Sequence, residues 1–167
     1  MRFQSCLEAP FSLCGLLGRI EEGAFWRLPD DIIDTISPNI SLIARRSSGG
    51  RVRFRTNASE ISFRMRLKNL EPAQCMPLSG SAGADIFTGV GENSRFCGFI
   101  APENYEDRTA KTTIHTKGTL EQYTINLPRN EQLESFEIGI EEGALLLPAL
   151  PYRYETPVVF YGSSITE

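Results

Sequence analysis

Arg51-Val-Arg-Phe-Arg-Thr-Asn-Ala-Ser-Glu-Ile-Ser-Phe-Arg-Met-Arg-Leu-Lys68 is the stretch whose reading decides the fold. Apolar and polar residues alternate through it with a period of two. Val52 and Phe54 fall on one side and Arg51, Arg53 and Arg55 on the other; farther on, Ile61, Phe63, Met65 and Leu67 oppose Ser62, Arg64, Arg66 and Lys68. Such alternation sends successive side chains to opposite faces of a strand. Thr56-Asn-Ala-Ser59 between the two runs is turn chemistry. The stretch is predicted to be an antiparallel hairpin with one buried and one basic face.

Further strands are predicted on the C-terminal side, at 84–90, 96–101, 112–116, 120–127, 136–140 and 144–147. Gly, Pro and Asn separate them, as in Gly91-Glu-Asn93, Pro102-Glu-Asn104 and Pro128-Arg-Asn130. Many short strands with almost no 3.6-residue periodicity define an all-β protein, a β-sandwich or jelly roll. Only residues 29–36 read as helical, with Asp30 and Asp31 in the first turn. Strands are expected near 13–20 and 40–45.

A chain of 167 residues, 41% hydrophobic, is long enough to build one core without disulfides or metals. Cys6, Cys14, Cys75 and Cys97 follow neither a paired-cysteine metal pattern nor a redox motif, so free thiols in a reducing compartment are expected. A single histidine, His115, gives no second imidazole for a typical zinc site. No metal and no cofactor are expected. No apolar run approaches the ~20 residues that span a bilayer, and 11–18 lacks a signal-peptide cleavage pattern. A cytoplasmic protein without membrane contact is the expectation. Net charge is −4, but residues 1–70 carry 11 basic and 7 acidic groups and the remainder carries 6 and 14. A weakly acidic chain lacks the concentrated positive field that nucleic acid requires.

Toward the end, three prolines in Leu147-Pro-Ala-Leu-Pro-Tyr-Arg-Tyr-Glu-Thr-Pro157 stiffen the chain and withhold ladder donors. A β-sandwich domain over 1–147 and a proline-rich linker over 148–157 are predicted. The apolar run Val158-Val-Phe-Tyr161 then meets Gly162, Ser163 and Ser164, the pattern of a buried strand turning sharply with a hydroxyl at its tip.

Tyr161-Gly-Ser-Ser-Ile-Thr166 resembles the first block of the SGNH, or GDSL-type, hydrolases, with Ser164 in the nucleophile's place and Ser163 where aspartate is commonest. Gly83-Ala-Asp-Ile-Phe87 is similar to the Gly-x-Asp-Leu-Tyr motif of the β-sandwich domain that precedes the catalytic domain in one bacterial branch of that superfamily. Phe25-Trp-Arg-Leu-Pro29, the run at 51–57 and the strand at 136–140 fit the same domain. The resemblance implies that 158–167 is the first strand and serine block of a catalytic domain truncated just after it. It also implies that the whole enzyme would use Ser164 as nucleophile, activated by a histidine three residues after an aspartate. His115 stands in an ordinary strand and does not supply that histidine. The chain is therefore expected to be inactive alone, with an SGNH-type catalytic domain as its partner, in cis or in trans.

Two features could bear on ligands. Arg51, Arg53, Arg55, Arg64, Arg66 and Lys68 form one basic face, which either pairs with Glu134, Glu137 and Glu141 or meets an acidic partner or a uronate-bearing glycan. Trp26, Tyr105, Tyr123, Tyr152 and Tyr154 are candidate platforms for a sugar. The leading reading is an accessory domain of a serine ester hydrolase of the carbohydrate-esterase kind. The alternative is a free-standing jelly-roll module that binds carbohydrate.

Overall fold

The structure, a computed structural model, describes residues 1–154, 156 and 158. In chain order it contains β1 (Arg2–Ser5), β2 (Ser12–Cys14), β3 (Ile20–Glu21), β4 (Ala24–Phe25), α1 (Asp30–Ile36), α2 (Pro38–Ala44) and β5 (Arg51–Thr56). Then follow β6 (Glu60–Leu67), α3 (Leu78–Ser81), β7 (Ala84–Thr88), β8 (Arg95–Ile100), β9 (Thr109–His115), β10 (Glu121–Asn126), β11 (Leu133–Ile140) and β12 (Leu146–Pro148).

Two antiparallel sheets face each other as a β-sandwich. One has the order β1-β11-β6-β9; the other runs β12-β5-β10-β7-β8, with β2 also beside β5. β3 and β4 form a separate ribbon. The inward residues of both sheets make one core: Val52, Phe54, Ile86 and Ile125 from the second meet Ile61, Phe63, Phe136 and Ile138 from the first, all fully buried. Aromatic rings tie it together, Phe54 edge-on to Phe11 at 5.2 Å and stacked on Tyr123 at 5.6 Å. Truncating one buried phenyl to alanine in such a core costs about 3–5 kcal/mol.

The alternation at 51–68 does produce two strands, but they are not a hairpin. β5 pairs with β10, β2 and β12, whereas β6 pairs with β11 and β9 in the opposite sheet. The chain turns a corner at 57–59 and crosses the sandwich. Polar groups at that corner find partners elsewhere. Leu145 N–H donates to Asn57 Oδ1 at 2.7 Å, and Ser59 Oγ–H donates to Glu141 at 3.0 Å. The single basic face expected from sequence is therefore two faces on opposite sides of the molecule, Arg51, Arg53 and Arg55 on one and Arg64, Arg66 and Lys68 on the other.

The segment near 40–45 is also corrected. It is helical, because Ser37 caps α2 by accepting from Ile40 N–H at 3.3 Å and Pro38 opens its first turn. The four cysteines are free. Among the described residues no helix is long and apolar enough to cross a membrane.

Candidate functional site

The Gly-Ala-Asp motif sits at the start of β7, a central strand of the larger sheet. Alternation buries Ala84 and Ile86 in the core and turns Asp85 to the outer face. A Cβ on Gly83 would fall on the Ser79 carbonyl oxygen, so glycine is what lets α3 close against β7. Asn126 lies opposite both Arg51 and Asp85, and Asp85 lies opposite Phe99. One row across the outer face thus reads Arg51, Asn126, Asp85, Phe99. The next reads Arg53, Thr124, Phe87, Phe96.

Above the first row opens a cleft of about 700 Å³, walled by the 48–50 loop, by the α3 turn and by Phe96 and Phe99. The two phenylalanines are 58% and 51% exposed, unusual for rings this large, and Phe96 meets Phe87 edge-on at 5.7 Å. Arg51 and Asp85 both line the cleft. They stand two strands apart, their backbones about 9–10 Å from each other by strand spacing. Neither side chain has a hydrogen bond or ion pair among the described residues. Arg129 also lines the cleft; its Nε is buried without a hydrogen-bond partner, and its Nη2 rests on the Met76 sulfur.

The proline-rich stretch lies across the same outer face. β12 pairs with β5, Leu146 opposite Thr56 and Pro148 opposite Phe54. Arg55 Nε donates to Pro148 O at 2.9 Å, Arg53 Nη2 donates to Leu150 O at 2.9 Å, and Leu150 N–H donates to Gln122 Oε1 at 2.8 Å. Tyr152 then covers Arg53, ring centre to guanidinium 3.8 Å, with its hydroxyl 3.1 Å from Cys14 Sγ. The strap runs from the Thr56 end of β5 toward the Arg51 end. It therefore carries the chain toward the mouth of the cleft.

Ser164, Ser163 and the run 159–162 lie outside the described residues. His115 ends β9 in the other sheet, exposed, with Nδ1 3.8 Å from Glu60 Oε2. The expected charge pairing takes a narrower form. Arg66 meets Glu134 at 2.9 Å, Arg64 lies opposite Glu137 with its guanidinium 3.6 Å from the Phe3 ring, and Glu141 serves Ser59 instead. Of the aromatic candidates, Tyr123 is in the core and Trp26 is flanked by Arg19 and Arg45 at 4.9 and 5.1 Å, so neither offers a platform. Tyr105, Tyr152 and Tyr154 are exposed.

The sequence reading missed Phe96, Phe99 and Arg129. The signal for the phenylalanines was their spacing of three in a period-two strand, with Gly98 between them. A register shift between Ile86 and Phe87 lets both rings face outward.

Residues 1–146 match the family described as "GxDLY: N-terminus of Esterase_SGNH_hydro-type". Among solved structures the chain is similar to a protein described as a GDSL-like lipase from Bacteroides ovatus, 18% identical with a TM-score of 0.76, over 89% of this chain and 43% of that one. It is also similar to a salicylyl-acyltransferase from a tetracycline biosynthetic pathway, 16% identical with a TM-score of 0.67, over 91% of this chain and 43% of that one. At these identities the likeness is one of fold, and the chain spans under half the length of either structure. No curated protein matches the sequence. With the motif, the sandwich and most of the chain matched, the chain belongs to the GxDLY family of domains found at the N-terminus of SGNH-hydrolase-type esterases.

Proposed function

We propose that this chain is the front, substrate-shaping domain of a serine ester hydrolase of the SGNH type, joined in cis to the catalytic domain that follows it. In this reading 1–147 is the sandwich, 148–157 the connection, and 158–167 the first strand and serine block of the catalytic domain, with Ser164 as nucleophile. The observation that carries the proposal is the strap. Its anchored residues direct the chain along one outer face toward the cleft that holds the motif's Asp85. A domain beginning there would meet that cleft, and the two together would enclose the substrate, an acylated carbohydrate. Four free thiols fit the reducing cytoplasm, which we include in the proposal.

A serine without its activating histidine and oxyanion donors loses several orders of magnitude in rate. The 167-residue chain is thus expected to bind without turnover, and the longer protein to hydrolyse a short-chain aryl ester in a reaction that Ser164→Ala abolishes. Sustained hydrolysis by the 167-residue chain itself, lost in Ser164→Ala, would overturn the accessory role. The two exposed phenylalanines also favour a second reading, a carbohydrate-binding module acting on its own. Tight glycan binding by the chain, with no ester hydrolysis by the longer protein, would select it.

A further inference from the structure

We infer that the motif-lined cleft is a binding site for a sugar bearing one carboxylate, a uronate-type residue of a glycan. The inference rests on the carbohydrate part of the reading above and names its substrate class; it does not need the hydrolytic part. Its volume of about 700 Å³ falls within the range of small-ligand sites. Among the described residues the side chains of Arg51 and Asp85, which both line it, make no hydrogen bond or ion pair. Arg129 lines the cleft, and its Nε is buried with no hydrogen-bond partner among the described residues. Arg51 presents a second guanidinium that meets no carboxylate among the described residues. A planar guanidinium is satisfied best by a carboxylate or phosphate gripped at two oxygens.

The remaining residues decide between those anions. Asp85 faces the same space, one strand beyond Asn126. A phosphate or sulfate dianion would place two like charges against its carboxylate, whereas a sugar hydroxyl would donate to it. Asn126, between Asp85 and Arg51, can donate to one ligand oxygen and accept from another. Phe96 and Phe99 supply an apolar wall suited to the C–H face of a pyranose ring. A single carboxylate toward the arginines, hydroxyls toward Asp85 and a ring face toward the phenylalanines together describe a hexuronate.

The test is calorimetric titration of the 167-residue chain with trigalacturonate, maltotriose and inorganic phosphate in separate runs. Saturable binding of trigalacturonate is expected, with maltotriose and phosphate each weaker by about tenfold or more, the worth of one charge-assisted hydrogen bond. Arg51→Gln and Phe99→Ser, both at exposed positions, should each weaken trigalacturonate by a similar factor while leaving Tm unchanged. Asp85→Asn should admit phosphate. Equal binding of maltotriose or phosphate by the unaltered chain, no saturable trigalacturonate binding at millimolar concentration, or unchanged binding in both Arg51→Gln and Phe99→Ser would overturn the assignment. Ester hydrolysis by the longer protein without uronate binding would sink this inference alone, and uronate binding without hydrolysis would sink the hydrolase reading alone.

Discussion

Arg53 donates from Nη2 to the carbonyl of Leu150 at 2.9 Å while its guanidinium lies 3.8 Å from the centre of the Tyr152 ring. Almost a hundred residues separate these groups in sequence, and their contact leaves Arg53 only 7% exposed. A buried guanidinium is tolerated here because a carbonyl and an aromatic face stand in for water. The strap is therefore as much a part of the sheet's outer face as the strands beneath it.

Charge reversal should separate Arg53 sharply from Arg64. Arg53→Glu places a carboxylate against the Leu150 carbonyl and the Tyr152 ring, an uncompensated buried charge, and is expected to cost about 3–5 kcal/mol. Arg64→Glu leaves an exposed side chain facing Glu137 across the register, a like-charge pair worth about 0.2–1 kcal/mol. Urea denaturation of the two variants measures both. Comparable losses would mean that the strap does not cover Arg53.

Gly83→Ala tests whether the motif's glycine is there for packing. The added methyl meets the backbone of Ser79, not the movable end of a side chain, so α3 must shift away from β7. Overpacking of this kind costs about 1–3 kcal/mol. The expected signature is a lowered Tm together with changed hydrogen exchange in 78–83. Full stability in Gly83→Ala would remove the steric account of that position.

The sequence revealed which residues face inward far better than which strands lie side by side. Val52, Phe54, Ile61, Phe63, Met65 and Leu67 are all buried, as alternation required. Period two records the parity of a side chain and carries no information about its neighbour, so β5 and β6 could be assigned to a hairpin although they belong to opposite sheets. The same limit hid the fate of Arg53, whose covering comes from Leu150 and Tyr152. The helix at Pro38–Ala44 was legible in Ser37-Pro38, a capping residue followed by proline, but Ile40, Leu42 and Ile43 resemble a strand when read for apolar content alone. Asp85 stood out through the motif. Its partners in the row, Arg51, Asn126 and Phe99, come from three other strands and required the registers.

Glu131 should make stability depend on pH in an unusual direction for a carboxylate. It is 3% exposed, accepts from Asn69 Nδ2 at 2.7 Å and from Glu71 N–H at 3.3 Å. Burial raises its pKa, opposed by the Glu71 N–H bond and the charge of Arg46. The folded chain then holds this proton to higher pH than the unfolded chain does. Its contribution is fully present below the unfolded value of about 4.3 and is lost as pH rises through the raised folded value. Glu131→Gln removes the titration, so the stability of the unaltered chain relative to the variant is expected to fall from about pH 4.3 toward neutrality. A relative stability that rises over that window would contradict the assignment.

Cys6 offers the opposite extreme, a thiol that burial has silenced. It is fully buried, its N–H donates to Phe136 O at 2.9 Å, and its pKa is pushed up to about 12 by burial first and by the nearby charge of Glu22 second. The thiolate is the reactive form, so Cys6 is both inaccessible and almost wholly protonated at neutral pH. Cys75 is exposed and should react with iodoacetamide in the native protein, whereas Cys6 should react only through opening of the sandwich, at a rate that rises with denaturant. The sign of the pH effect follows from the same shift. Stability is undiminished below the unfolded thiol value of about 8.5 and falls as pH rises toward the folded value, because ionisation favours the unfolded chain. Lysines and tyrosines titrate in that range too, so the quantity to measure is the difference between the unaltered chain and Cys6→Ala, which should shrink as pH rises through it. Labelling of Cys6 as fast as Cys75 in native buffer, or a difference that grows with pH, would show that the thiol is not sealed beneath β11.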